Sequence, residues 1–194
     1  MVPCRFGVKM IQDFCDKIYC INMDSQKERW VRVQKEFDLL GIKAERFKAI
    51  EHRKRHIGCR KSHQAIIQMA KDNDWDRVLI FEDDVIFIND MHTVIDEAIK
   101  QLPEEWDLLY FGCHREIAKK YSDNLIKLKF CKAGHAVIFN KTIYDLILSS
   151  KEKSMDKTNY TFIHPRGKSF CMIPMIAEQK EYRIPQKRWE KYIK

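Results

Sequence analysis

The sequence predicts a layered α/β domain with a largely parallel sheet flanked by helices. Apolar, β-branched runs alternate with amphipathic stretches in the order strand, helix, strand, helix, strand, helix, strand. Two of the apolar runs, Val78–Phe81 and residues 107–112, are typical of strands covered on both faces. A chain of 194 residues has room for one sizeable core, so we predict a single domain over 1–194, with 1–16 and 183–194 peripheral.

The composition indicates a globular protein with a basic surface. Hydrophobic residues make up 45% and charged residues 33%, which argues against disorder of the whole chain. The net charge of +8 favours anionic or phosphorylated ligands. The basic run Arg53–His56 has no interleaved aromatic residues, so dedicated nucleic-acid binding is the weaker interpretation.

The seven cysteines indicate a reducing compartment, because their number is odd and they contain no Cys-x-x-Cys pair. We therefore expect a cytoplasmic location, with peripheral attachment to a membrane surface left open. Charged residues interrupt the first twenty positions, so we expect no targeting or transmembrane segment. Cys59 and His63 lie four residues apart but lack two further ligands at a recognisable spacing, and we interpret the pair as structural.

The first strand is predicted at Lys17–Asn22, followed at once by a helix that ends at Gly41. Ser25 and Glu28 have the spacing of a capping box at the start of that helix. Asn22, Asp24 and Arg29 would then lie near the carboxyl end of the strand, where helix N–H groups favour an anion. Arg29 is a candidate partner for a diphosphate, and an exposed helix arginine is the alternative.

A second strand is predicted at 44–49, then a polar loop over 51–56 and a helix from Arg60 to about Lys71. Ser62 and His63 would occupy the first turn of this helix. Adjacent residues on a helix point in different directions, so the two are not a nucleophile and its base. Contact with a ligand, or a capping or core role, both stay open for them.

Three consecutive carboxylates, Glu82, Asp83 and Asp84, end the run Val78–Phe81. If the backbone stays extended, Glu82 and Asp84 project to one side and Asp83 to the other. Their mutual repulsion is relieved by a cation, and oxygen ligands alone suit Mg²⁺ or Mn²⁺. The alternative is an acidic strand end that faces water or caps a following helix.

The second half of the chain predicts further strands and helices. Asn89–Asp90 would cap a helix that Pro103 closes, and residues 125–130 alternate as in an edge strand or antiparallel hairpin. A strand at 134–139 precedes a helix capped by Asn140, and a last strand lies at 170–174. Residues 115–124 and 149–166 are expected to be loops, and His114 to lie near the acidic tip.

Several blocks of the chain resemble glycosyltransferase family 25. In chain order these blocks are Cys20–Asp24 with Arg29, Glu45–Ile50, Gly58–His63 and Leu79–Val85. The similarity continues through Trp106–Gly112, 133–140, Asp156 and Met172–Pro174, so it covers the chain from Lys17 to Gln179. The family includes lipopolysaccharide β-galactosyltransferases and the domain that galactosylates hydroxylysine in collagen.

The resemblance implies a GT-A type single domain, a Rossmann-like mixed sheet flanked by helices. It implies inverting transfer of galactose or glucose from a UDP-sugar to a hydroxyl of a glycan or of a protein. Glu82 and Asp84 would hold Mn²⁺ or Mg²⁺, with Asp83 between them on the donor side. The residues matched to donor binding are Asn22, Met23, Asp24, Arg29, Ser62 and His63. Asp156 is the candidate general base, and Glu178 is its rival.

Two other functions stay open on sequence grounds. One is Mg²⁺-dependent phosphoryl chemistry at the same acidic residues, which lacks a phosphate-cradling glycine loop. The other is a non-catalytic basic module that binds nucleic acid or anionic glycans.

Overall fold

A computed structural model describes residues 11–88, 91–132, 134–180 and 190–192. Its strands are β1 Lys17–Asn22, β2 Glu45–Lys48, β3 Arg77–Glu82, β4 Val85–Phe87, β5 Leu108–Tyr110, β6 His114–Lys120, β7 Leu125–Lys132, β8 Ala136–Asn140, β9 Ser169–Met172 and β10 Ala177–Gln179. Its α-helices are α1 Lys27–Leu40, α2 Arg55–Asp72, α3 Met91–Lys100, α4 Tyr144–Ser149 and α5 Met155–Thr158. Shorter helical turns cover Lys141–Ile143, Asn159–Ile163, His164–Arg166 and Glu190–Tyr192.

Within the described residues, eight strands form one mixed sheet in the order β2-β1-β3-β8-β5-β9-β7-β6. Strands β1, β2 and β3 are parallel, as are β5 and β9. Strand β8 lies antiparallel between β3 and β5. The carboxyl ends of β1, β3 and β5 therefore lie along the same edge of the sheet. Strands β4 and β10 form a small antiparallel pair beside that edge.

Helices cover both faces of the sheet, and two apolar clusters form the core. On one face Leu79 and Phe81 of β3 pack with Phe37 of α1 and with α3. On the other face the intervening Val78 and Ile80 pack with α2 and α4. Burying one such side chain stabilises the fold by about 1.5–3 kcal/mol, so the alternation along β3 fixes which face each neighbouring side chain takes.

The structure confirms most predicted elements. Strand β1 has the predicted bounds, and Gly41 ends α1 in the left-handed conformation with φ 70°. Asn140 accepts a hydrogen bond from the backbone N–H of Thr142 and thereby caps the turn that leads into α4. The hairpin predicted around residues 125–130 is present as β6 and β7. The predicted Asn89–Asp90 cap lies outside the described residues.

The prediction of a largely parallel sheet is wrong, because β8 and β7 run antiparallel to their neighbours. An apolar run shows that a strand is buried on both faces but does not set its direction. The predicted loop at 115–124 is mostly strand β6, where a bulge between His114 and Ile117 interrupts the alternation. Strand β7 is therefore internal and β6 forms the edge.

Two predicted helix starts are also wrong. The N-cap of α1 is Gln26 rather than Ser25, and no side chain caps it, so the predicted Ser25 capping box does not form. Helix α2 begins at Arg55, five residues earlier than predicted, and Gly58 lies within the helix rather than before it. Ser62 and His63 therefore lie well beyond the first turn.

No helix in the described part of the chain is long and apolar enough to span a bilayer.

We predict that Gly112→Ala destabilises the protein by about 1–3 kcal/mol. A Cβ at Gly112 would lie 2.0 Å from the backbone oxygen of Ala177, so β10 would have to move away from the sheet edge. Gly134→Ala is the matched control, because no atom lies within 4 Å of its added Cβ. Urea unfolding of both variants measures the difference, and equal midpoints would contradict this account of the packing.

Candidate functional site

The acidic residues lie where strand β3 ends at the sheet edge. Strand β3 stops at Glu82, and the chain turns through Asp83 and Asp84 before β4 begins. The carboxyl ends of β1 and β3 meet here beside the amino end of β8, where the Glu82 N–H donates to the His135 oxygen at 2.9 Å. Ligands of α/β sheets collect at such an edge.

The turn changes the directions that the sequence predicted for the three acidic side chains. Glu82 faces α2 and accepts a hydrogen bond from the thiol of Cys59 at 3.1 Å. Asp83 lies on the α1 side, and Asp84 lines a cleft together with Arg29 and Arg32 of α1. The prediction that Glu82 and Asp84 share one side assumed an extended backbone, whereas residues 83 and 84 form a turn.

Three side chains hold the turn in place. Asn22 Nδ2 donates to Asp83 Oδ2 at 2.6 Å, and Arg29 Nη1 lies 3.3 Å from Asp83 Oδ1. Arg32 donates to the backbone oxygens of Asp83 and Val85 at 2.6 and 3.0 Å. Asp83 is therefore a structural anchor, and the turn presents Glu82 and Asp84 from a fixed backbone.

The predicted donor-side residues near β1 form a connected network. Asn22 is 1% exposed, and its Oδ1 accepts a hydrogen bond from Arg46 at 2.8 Å. Arg46 also donates to Asp24, which pairs with Lys48 at 2.7 Å. Met23 is half-buried in the turn after β1. This network joins the end of β1 to Asp83 and brings Asn22, Asp24 and Arg29 to one side of the acidic turn.

A cleft of about 400 Å³ opens beside Glu82 between α2, α5 and the ends of β6, β7 and β8. It is lined by His56, Cys59, His63, Glu82, His114, Arg115, Lys132, Gly134, Ser154, Met155, Asp156 and Gln179. Asp156 thus faces the same space as Glu82 although the two are 74 positions apart. Glu178 is not among the lining residues, whereas its neighbour Gln179 is.

The carboxylates crowd one another in this cleft. The pKa of Glu82 is raised from 4.5 to about 7, first by burial, then by the charge of Asp84 and to a smaller extent by Asp156 and Asp83. The hydrogen bond from Cys59 acts in the opposite direction. Glu82 therefore carries a proton over part of the neutral range unless a cation compensates its charge.

A second cleft, of about 500 Å³, lies on the α1 side of the turn and is lined by Glu28, Arg29, Arg32, Asp84 and Lys180. Gln179 connects the two clefts, because it lines the first and donates to Asp84 Oδ2 at 3.3 Å. The positive side chains in the second cleft provide a favourable environment for an anionic group next to Asp84.

Ser62 and His63 have different surroundings. The Ser62 hydroxyl donates to the Gly58 oxygen at 3.0 Å and accepts from the Ile50 N–H at 2.8 Å, so it ties the loop after β2 to α2. His63 lines the cleft, and burial lowers its pKa to about 4, so its imidazole is neutral at pH 7.

The donor set beside the turn fits a divalent metal ion of the kind that the resemblance implies. Glu82 and Asp84 offer carboxylate oxygens, the ligands that Mg²⁺ and Mn²⁺ take. Burial and, after it, the charge of Asp84 raise the pKa of Glu82, and an ion bound by the two carboxylates would counteract both effects. Asp83 is less suited to ligation, because both of its oxygens already have partners.

Some residues of the site carry no recognisable signal in the sequence. His56, Lys132 and Gln179 reach the cleft from three separate elements, and no spacing relates them. The sequence indicates a structural role for Cys59 and His63, since no further ligands follow at a recognisable spacing. The third nearby ligand atom comes from Glu82 of β3. Only the sheet topology brings these residues together.

The comparisons with known proteins agree with this architecture. The family profile described as "Glycosyltransferase family 25 (LPS biosynthesis protein)" matches residues 54–167, which include α2, the acidic turn and Asp156. The chain therefore belongs to glycosyltransferase family 25.

A curated relative from Drosophila melanogaster, "Glycosyltransferase 25 family member", is 28% identical over 148 residues, covering 57% of this chain and 24% of the relative. The chain thus spans about a quarter of that relative's length. Among solved structures, A197 from STIV has a TM-score of 0.51 at 12% identity, with 87% of this chain and 85% of that chain covered. Apo-UDP-glucose pyrophosphorylase has a TM-score of 0.50 at 8% identity, with 97% and 83% covered. At these identities the two structures share the fold alone.

We predict that Glu82 makes the metal-free protein less stable as the pH rises. Between pH 4.5 and 7 the folded protein keeps the Glu82 proton that the unfolded chain has lost, so the free energy of unfolding falls across this window. The total change is up to about 3 kcal/mol. Urea unfolding in chelator at several pH values, compared with Glu82→Gln, isolates this contribution. If the free energy of unfolding changed with pH in the same way in the wild-type protein and in Glu82→Gln, the predicted contribution of Glu82 would be contradicted.

Proposed function

We propose that this protein is a metal-dependent, inverting glycosyltransferase of the GT-A type. It transfers a hexose, galactose or glucose, from a UDP-sugar to a hydroxyl of a glycan or of a glycosylated or hydroxylated protein. The observation that carries the proposal is the pair of clefts that meet at the acidic turn, one holding Glu82 opposite Asp156 and the other holding Asp84 among cations.

In this proposal Glu82 and Asp84 would hold Mn²⁺ or Mg²⁺ at the end of β3. When bound, such an ion stabilises negative charge on the diphosphate leaving group. Arg29, Arg32 and Lys180 line the cleft at Asp84 and add positive charge on that side. Asn22 and Arg29 keep the turn rigid through Asp83, so the two carboxylates need little reorganisation to receive the ion.

Asp156 is the proposed general base. A single displacement needs one carboxylate to accept the proton of the attacking hydroxyl, on the face of the sugar opposite the diphosphate. Asp156 lies across the cleft from the turn, at the start of α5, whose N-cap Ser154 accepts from the Lys157 N–H at 3.1 Å. Asp156 is preferred to Glu178 because it lines the cleft.

The cleft walls support an acceptor with polar or anionic groups. Arg115, Lys132 and His56 are among the residues that line it. These side chains can donate hydrogen bonds to sugar hydroxyls or to an acidic substituent. The mixture of two carboxylates with several donors suits a carbohydrate better than an apolar acceptor.

We predict that UDP stabilises the protein only when Mn²⁺ or Mg²⁺ is present. A ligand at about 100 times its Kd adds about 2.7 kcal/mol, which corresponds to a Tm increase of roughly 5–10 °C for a domain of this size. Asp84→Asn should abolish the increase. Asp123→Asn should retain it, because Asp123 is exposed in the β6–β7 turn. Equal stabilisation by UDP in chelator and in Mn²⁺ would contradict the proposal.

We predict that Asp156→Asn lowers the rate of sugar transfer by about 10²- to 10⁴-fold without changing the Kd of UDP and Mn²⁺. The variant keeps the size of the side chain but cannot accept the proton. Single-turnover assays with a saturating UDP-sugar measure the chemical step, and Glu178→Gln is the comparison. A normal rate in Asp156→Asn together with a large loss in Glu178→Gln would assign the base to Glu178 instead.

Phosphoryl transfer and nucleic-acid binding, the two alternative functions, would give different results in the same assays. Phosphoryl transfer at the acidic turn would release inorganic phosphate from a nucleotide, whereas sugar transfer releases UDP. A nucleic-acid module would bind DNA or RNA in a salt-dependent manner and would not respond to UDP-sugars.

A further inference from the structure

We propose that Cys59, His63 and Glu82 form a second metal site, selective for a thiophilic divalent ion such as Zn²⁺ or Co²⁺. A nitrogen of His63, Sγ of Cys59 and a carboxylate oxygen of Glu82 all lie within 4.8 Å of one another. All three residues line the 400 Å³ cleft. The site does not depend on the proposed glycosyltransferase function, although it shares Glu82 with the proposed Mn²⁺ pair.

The distances suit a small tetrahedral ion. Sγ of Cys59 lies 3.1 Å from Oε1 of Glu82, and a nitrogen of His63 lies within 4.8 Å of both atoms. In a tetrahedral zinc site with ordinary bond lengths, a sulfur and a neighbouring nitrogen or oxygen ligand are about 3.6 Å apart. Adjustments of about an ångström therefore bring the three ligand atoms into one coordination sphere.

The burial and hydrogen bonding of His63 support the same site independently. The residue is completely buried, and its Nδ1 lies 3.0 Å from the Cys59 backbone oxygen. A proton on Nδ1 makes this a hydrogen bond and leaves Nε2 as an acceptor, the arrangement in which histidine commonly ligates a metal. No hydrogen-bond partner for Nε2 is found among the described residues.

Helix and sheet geometry hold the ligands together. Cys59 and His63 are four residues apart on α2 and therefore share one helix face. Ser62 ties this segment of α2 to the Ile50 N–H, and Gly58 permits the close approach, since a Cβ there would lie 2.6 Å from the Ile50 oxygen. Glu82 comes from the fixed end of β3. The site thus needs no large rearrangement to bind an ion.

The charges also balance. In the metal-free protein the Cys59 thiol donates a hydrogen bond to Glu82. Binding of a divalent ion would release the thiol proton to solvent, together with the Glu82 proton in the molecules that carry one. A thiolate, a carboxylate and a neutral imidazole would then surround a charge of +2. A thiolate and an imidazole favour Zn²⁺ or Co²⁺ over the harder Mn²⁺ and Mg²⁺, which distinguishes this site from the Glu82 and Asp84 pair.

Titration of the chelator-treated full chain with Co²⁺ tests the proposal directly. We expect one equivalent to produce an intense near-ultraviolet band from thiolate-to-cobalt charge transfer, together with visible bands of a four-coordinate ion. Cys59→Ser should lose the charge-transfer band, and His63→Asn and Glu82→Gln should weaken binding by at least about tenfold. Asp84→Asn and Cys15→Ser should keep it, since neither residue is among the three ligands.

A wild-type protein without the charge-transfer band would overturn the proposal. A band that persists in Cys59→Ser or disappears in Cys15→Ser would also overturn it. If Cys59→Ser fails to fold, alkylation of the wild-type protein still tests the proposal. Zn²⁺ should protect Cys59 from modification by iodoacetamide. Equal modification with and without Zn²⁺ would refute the site. Retention of the band in Asp84→Asn separates this test from that of the proposed function, in which the same variant loses Mn²⁺-dependent UDP binding.

Discussion

The attachment of the acidic turn to helix α1 is the interaction on which the site depends. Three carboxylates follow one another at the end of a buried strand, and their mutual repulsion would open an unsupported turn. Asn22 and Arg29 engage the Asp83 side chain, and Arg32 engages the backbone on either side of Asp84. These contacts compensate one negative charge and fix the direction in which the other two point.

This attachment gives the three acidic residues different tasks. Both carboxylate oxygens of Asp83 have partners inside the protein, while Glu82 and Asp84 line two clefts that Gln179 connects. In our proposal the turn joins a diphosphate on the arginine side to an acceptor on the Asp156 side, with the metal ion at this junction. The proposed Zn²⁺ site also uses Glu82. Binding of a thiophilic ion there would therefore compete with Mn²⁺ binding at the proposed donor site.

The sequence was sufficient to predict the strands and helices that carry a periodic apolar pattern, and the blocks from Cys20 to Val85 were sufficient to identify the family. It could not predict the order and direction of β8 and β7, because apolar runs look the same in parallel and antiparallel interior strands. It also could not predict that the chain turns at Asp83. That turn depends on Arg32, whose two backbone hydrogen bonds span 51 and 53 residues.

In the candidate site, too, the sequence predicts some residues, and only the fold brings the others together. The acidic triplet and Asp156 were found because carboxylates at block positions carry a signal of their own. The contribution of Cys59 was missed because its partner Glu82 lies 23 residues away on another element. Likewise, Gln179 was not identified, since only the β4 and β10 pairing brings it to Asp84.

The most direct test of the central claim is a crystal structure with UDP and Mn²⁺, with anomalous diffraction recorded to locate the manganese. The account predicts an anomalous peak between the carboxylates of Glu82 and Asp84, in contact with the UDP diphosphate. A peak elsewhere, or UDP bound with both carboxylates pointing into solvent, would contradict it.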